Sequence, residues 1–290
     1  MRYWAVLAGL LLSAVPPSIA YGQASQYEST WLQLEYERSS RHSDGQLGSS
    51  SNGRQALIET IIEETPSGVV LQYELPRDKE GKPSSGFWYF PARLLERPDG
   101  SLELLDKQVV EDRIDQWLEK PRIPREACGM WSHGGGFPFQ VDCDPYSILG
   151  QIESFDLRIP DLMAGSEYSH PQSSAPGKLK ALPETRPGYF VNVTVDPAKL
   201  RAAEVEKALI LAQMLGKDLA RQQAEEDAAK IGFQGSISIE FDLDQTGTVI
   251  RKTERSEIIV TRPGEDAETT TMLTTVTRLN LEAALEKYAD

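Results

Sequence analysis

Apolar and polar positions alternate with a period of two over most of the chain. In Trp31-Leu-Gln-Leu-Glu-Tyr-Glu37, Leu32, Leu34 and Tyr36 share one side of an extended segment, the pattern of a half-buried strand. Residues 55–64 and 69–75 read as two more strands meeting at Thr65-Pro-Ser-Gly68, where proline and glycine supply turn dihedrals. A second pair, 87–96 and 101–105, meets at Arg97-Pro-Asp-Gly100. Together they predict an antiparallel meander. Residues 39–54 carry one aliphatic side chain, Leu47, and their polarity predicts a long mobile loop. Over 107–119 the period changes to that of a helix, with Val110, Ile114, Trp117 and Leu118 on one side.

Residues 159–187 contain five prolines and little periodicity, which predicts an irregular connection between two lobes. Beyond it, 189–195 alternates again, and 235–243, 248–261 and 268–279 predict a three-stranded meander. Between them lies 198–231, the one stretch that reads as a long helix. Asp196-Pro197 supplies an N-cap acid and a proline at the first helical position. The expected architecture is α+β: antiparallel β-meander lobes with one long helix packed against the C-terminal sheet. The divisions are a signal peptide over 1–24, a β-rich lobe with a short helix and a disulfide hairpin over 25–158, the connection over 159–187, and strand, helix and meander over 188–290.

The long helix carries Val205, Ala208, Leu209, Ala212, Leu215 and Leu219 at three-to-four spacing, widened by Ile210, Leu211 and Met214. A helix apolar on several sides needs cover. If a sheet covers only part of it, Leu209, Leu211, Met214 and Leu215 form the wall of a groove between sheet and helix, suited to a lipophilic ligand or a partner protein. Half-barrel carriers of the bacterial periplasm are built from a similar helix and curved meander. The competing expectation is that these leucines are core, since an apolar stripe at helical spacing usually is.

The N-terminus adds a destination. Arg2, an apolar run of about a dozen residues from Trp4, and the small residues Ala20 and Ala24 make the pattern of a secretory leader, too short for the about 20 residues of a membrane-spanning helix. Export to the periplasm or the medium, with no transmembrane anchor, is the expectation. The formal net charge of −14 works against nucleic acid and anionic lipid as partners.

Cys128 and Cys143 are the only 2 cysteines, and an oxidising compartment would join them. A turn at Gly135-Gly136 pairs residue i with 271−i and sets Cys128 opposite Cys143. In that register Met130, Ser132, Phe139 and Val141 share the cysteines' face, the mostly apolar one expected to be buried.

Two segments suggest chemistry. His133-Gly-Gly-Gly-Phe137 resembles the oxyanion-hole segment of the hormone-sensitive-lipase-like esterases, but no serine here has glycine at both i−2 and i+2 to form a nucleophile elbow. Phe241-Asp-Leu-Asp-Gln-Thr-Gly-Thr-Val249 resembles the first motif of the haloacid-dehalogenase-like phosphatases, which would make Asp242 the nucleophile and Asp244 the acid. Antiparallel strands around it do not fit that fold's parallel core. Read as a calcium loop, the same residues end on Thr253 where a bidentate glutamate is needed. His42, His133 and His170 lie in separate segments, without the paired spacing of a zinc site. No metal, no cofactor and no catalysis are expected. The leading function is a non-catalytic exported binding protein, with a structural or assembly role in the cell envelope, or a hydrolase, as alternatives.

Overall fold

The computed structural model describes residues 29–77, 82, 88–132, 139–159, 162–183 and 185–288. The expected leader, the Gly135-Gly136 turn and the 133–137 segment lie outside the described residues. In chain order come β1 (Ser29–His42), β2 (Leu47–Thr65), β3 (Gly68–Glu74), β4 (Ala92–Glu96), β5 (Leu102–Leu104) and helix α1 (Lys107–Glu119). A short ribbon of β6 (Trp131–Ser132) and β7 (Phe139–Gln140) follows, then α2 (Ser147–Glu153) and the short strands β8 (Glu167–Tyr168), β9 (Gly177–Lys178) and β10 (Lys180–Ala181). The last part is β11 (Gly188–Thr194), α3 (Pro197–Met214), α4 (Arg221–Ala228), β12 (Gly232–Leu243), β13 (Val249–Thr261), β14 (Glu268–Asn280) and α5 (Leu281–Tyr288).

Ten of these strands form one antiparallel sheet in the order β10-β11-β12-β13-β14-β1-β2-β3-β4-β5. The fold is thus mixed α+β around a large antiparallel sheet. The segments expected to form separate lobes share this sheet, because β1 pairs with β14 as well as with β2, placing Leu34 between Val276 and Gln55. One face is apolar. Val191 lies opposite Ile239, Leu32 opposite Leu57, and Leu71 opposite Leu94, which faces Leu104 in turn. Val110, Ile114 and Leu118 of α1, Ile148 and Ile152 of α2, and Phe155, Leu157 and Leu179 of the connection join them in one cluster. The other face is polar over its middle, with Glu35 beside Arg54 and Thr275. At its end α5, capped by Asn280 Oδ1 accepting from the Glu282 and Ala283 amides, packs on β1 and β14, and Ala284 and Trp31 are buried there.

Three expectations are corrected. Residues 39–54 do not form a mobile loop: β1 and β2 run through them, reversing at Asp44-Gly45, where Asp44 Oδ1 accepts from the Gln46 amide. Low apolar content does not exclude a strand whose backbone is paired on both edges, as β1's is between β14 and β2. Gly53 has a specific use there, since a Cβ on it would stand 2.5 Å from the Tyr36 ring that faces it across the strands. The long helix is two helices. Gly216, at φ +63°, ends α3: the Lys217 amide donates to Ala212 O and the Gly216 amide to Gln213 O, a Schellman closure that reverses the chain into α4.

The third correction concerns the hairpin. The Cys128–Cys143 disulfide is formed, and Trp131 pairs with Gln140 and Ser132 with Phe139 in the expected register. Val141 is buried, yet Met130 across from it is 58% exposed. A bulge separates them. Gly129, at φ +80°, donates to Val141 O, while Val141 donates to Met130 O, so two residues oppose one and Met130 is turned off the core.

Ile114 is fully buried and Leu211 is 50% exposed. Denaturant unfolding should therefore show a loss of about 2–5 kcal/mol for Ile114→Ala and less than about 1 kcal/mol for Leu211→Ala. Equal losses would mean that the end of α3 is packed in solution.

Candidate functional site

The four predicted helix residues lie on α3 and its C-cap, Leu209 against α4, Met214 half-buried, and Leu211 and Leu215 exposed. Asp196 caps α3 by accepting from the Ala198 amide, and Leu200 reaches the sheet's core cluster. From Val205 onward α3 packs on α4 instead: Val205, Ala224 and Ala228 make a small core, with Ala208, Leu209 and Leu219 around it. Arg221 clasps the pair through Glu206 at 2.7 Å. Leu209 belongs to that core and Met214 is half-buried, whereas Leu211 and Leu215 face outward at 50% and 60% exposure beside Ile210.

A better-formed cavity, of about 360 Å³, lies beside the disulfide hairpin. Its walls are Trp88 and Tyr89 before β4, Trp117 on α1, Pro121 and Ile123 just after α1, and Gln140 and Asp142 at β7. Local folding explains each. The stripe of α1 is anchored by Val110, Ile114 and Leu118, leaving Trp117 half-buried on its flank. After the helix, Arg122 takes φ 55° and the Ile123 amide donates back to Leu118 O, folding Ile123 toward the helix end. Val141 is buried next to Cys143, which fixes the strand carrying Asp142.

Asp142 organises the polar end. Its main-chain oxygen accepts from Trp88 Nε1 at 3.0 Å, its Oδ2 from the Tyr89 hydroxyl at 2.9 Å, and its Oδ1 from the Asp144 amide at 3.0 Å. The Trp88 and Tyr89 rings lie 4.3 Å apart between centroids. Burial, and then the hydrogen bond to Asp142, hold the Tyr89 phenol well above its ordinary range, so it stays a donor. Gln140 donates Nε2 to Gly129 O. The Arg113 guanidinium, one turn before Trp117, is buried without a hydrogen-bond partner among the described residues, yet it does not line the cavity.

Other polar clusters are closed by pairing. Asp242 sits between Arg186, 2.6 Å from Oδ1, and Arg251, whose Nε donates to Oδ2 at 2.6 Å. Asp244 Oδ1 accepts from the Thr246 and Thr248 amides, tying the β12–β13 turn. Tyr73 donates to Glu59 at 2.6 Å, and burial with that negative charge raises its pKa strongly. His170 accepts from the Gln172 amide at Nδ1, leaving Nε2 to face Glu254 at 3.4 Å, which lowers the pKa of that carboxyl. Among the described residues no helix is long and apolar enough to cross a membrane.

The aromatic cavity is not apparent in the sequence. The period-two reading assigned Trp88 and Tyr89 to a strand and the helical reading set Trp117 on the apolar side of α1, and only the three-dimensional fold brings them together. No protein-family model and no curated protein sequence matches the chain. Among solved structures, an uncharacterised protein from Rhizobium leguminosarum aligns at 6% identity over 49% of this chain and 70% of that one, with a TM-score of 0.18, too slight a likeness to carry an argument.

Tyr73, Tyr89 and Tyr168 share raised pKa values, that of Tyr168 reaching about 12, each chiefly through burial. The stability this confers is complete below the unfolded-state value of about 10 and is lost as pH rises through the folded values. Ultraviolet titration should show these three silent until alkaline unfolding, and Tyr89→Phe should move that transition upward. A full set of tyrosinates in the folded protein would contradict the burial.

Proposed function

We propose that the chain is an exported, non-catalytic binding protein, and that its ligand occupies the cavity of Trp88, Tyr89 and Trp117. The observation that carries this is the cavity itself: a concave site of about 360 Å³, walled by aromatic and aliphatic groups and ending in one carboxylate. That combination of size and lining is the usual form of a small-molecule site. The disulfide accords with an oxidising compartment, and so with the export expected from the leader pattern. The non-catalytic part is supported by how the acidic groups of the chain are used. Asp242 is held between two arginines, and Glu59 is engaged by Tyr73.

Fluorescence titration with the neutral probe N-phenyl-1-naphthylamine tests the site. Trp117→Ala should weaken probe binding by about tenfold or more, with Leu211→Ala and Leu215→Ala unchanged. If the leucine variants lose binding and Trp117→Ala keeps it, the ligand site lies on the helix pair instead.

A second reading, an assembly role in the envelope, is favoured by the exposed Ile210, Leu211 and Leu215 at the end of α3. The net charge of −14 disfavours an anionic lipid surface as the occupant and favours an apolar groove on a protein. This reading expects the double change Leu211→Ser, Leu215→Ser to remove a crosslinked partner in the producing cell and leave probe binding intact. Crosslinking that survives the change rejects it.

A further inference from the structure

The polar groups at the end of the cavity give most of their donor hydrogens to the protein itself. Trp88 gives its indole N–H and Tyr89 its hydroxyl to Asp142, and Gln140 gives an amide hydrogen to Gly129 O. What remains toward the cavity is weighted to acceptors: the Asp142 carboxylate and Gln140 Oε1. Among the described residues the carboxylate also lacks a counter-charge. Its partners, the Tyr89 hydroxyl and the Asp144 amide, are neutral, and no cationic side chain among the described residues pairs with it. The contrast within the same protein is Asp242, which is ion-paired to two guanidinium groups. Arg113 and Arg122, the nearest arginines in sequence to the lining residues of α1 and the turn after it, are not part of the lining.

We infer that this pocket takes a cation, an alkylated or quaternary ammonium group carried on a small apolar body. Aromatic rings attract such a group electrostatically through their quadrupoles, and they are indifferent to its inability to donate a hydrogen bond. A partly buried carboxylate without a counter-charge gains most from a cation that sheds water easily, which alkylation ensures. A sugar or other polyol would need donors and acceptors in alternation, and among the described lining side chains only the second N–H of Gln140 is left to donate. The acidic chain as a whole, at −14, draws cations toward its surface. The inference rests on the reading of the cavity as the ligand site and specifies the ligand's class.

The test compares two probes of one shape on the full-length chain by titration calorimetry in low salt: choline, and 3,3-dimethylbutan-1-ol, in which carbon replaces the charged nitrogen. Choline should bind about tenfold more tightly or better. Asp142→Asn keeps the side chain's shape and an acceptor for Tyr89, so it should fold and should erase the preference; circular dichroism checks the fold. Trp117→Ala should weaken both probes. If choline is no tighter than the alcohol while N-phenyl-1-naphthylamine still binds, the cation inference falls and the pocket reading stands. If none of the three binds, both fall. A preference for choline that survives Asp142→Asn overturns the assignment of the charge to Asp142.

Discussion

The pairing of β1 with β14 is the constraint on which the rest of the structure depends. It joins residues near the start of the described chain to residues near its end, with Trp31 opposite Leu279 and Tyr36 opposite Thr274. Closing so long a loop is entropically costly, and the cost is offset only when the whole ladder and the apolar face beneath it form together. Once β1 is central, its backbone groups are satisfied on both edges, and its side chains are free to be polar where no core lies beneath them. The same placement puts β10 and β5, strands of 2 and 3 residues, at the ends of the order, while β2 before Ile58 has β1 as its one partner strand among the described residues.

How far the fold was legible in the sequence follows from which signals are local. Helix α1 was read to the residue, because its stripe of Val110, Ile114 and Leu118 and its limits both lie within 107–119. The 271−i register also held at Trp131 and Ser132, and the bulge at Gly129 breaks it on the way to the disulfide. The strands 235–243, 248–261 and 268–279 recur in β12, β13 and β14 with ends shifted by a few residues. Order along the sheet was another matter. Nothing local in LQLEYE says that it pairs with residues 274–279, so the chain read as two lobes. Residues 39–54 were misread for the same reason: their strand state is conferred by pairing, of 39–42 with β14, of 39–41 with β2 and of 47–54 with β1, and not by their own apolar content.

The long helix failed for a different cause. Over 198–231 composition favours helix throughout, and a single glycine among good helix formers costs only about 1 kcal/mol if it stays helical. At Gly216 the alternative is better, because the αL conformation satisfies the terminal carbonyls of α3 and lets Val205 meet Ala224 and Ala228. The apolar residues past that contact, Leu211 and Leu215, are left outside both cores. Sequence periodicity grouped Leu209 with Leu211 and Leu215 in one apolar surface and could not say that α4 would cover the first and leave the other two exposed.

The candidate pocket was the least legible feature, and the reason is physical. Its walls come from four separate segments, and each carries an ordinary local explanation: Trp117 as helix core, Tyr89 as strand, Pro121 as a helix stop, Asp142 as the polar side of a hairpin. What distinguishes Asp142 is not its residue type but the charge of its neighbours, and that is set only by the fold. A chain with 44 acidic and 30 basic residues must leave many carboxylates without a cation, and most do so in water at no great cost. The informative carboxylate is one that is drawn in from water beside aromatic rings and given, among the described residues, neutral donors alone. Those donors hold Asp142 in place without cancelling its charge, and a fixed, uncancelled charge at the end of an apolar cavity is what a binding site for a cation requires.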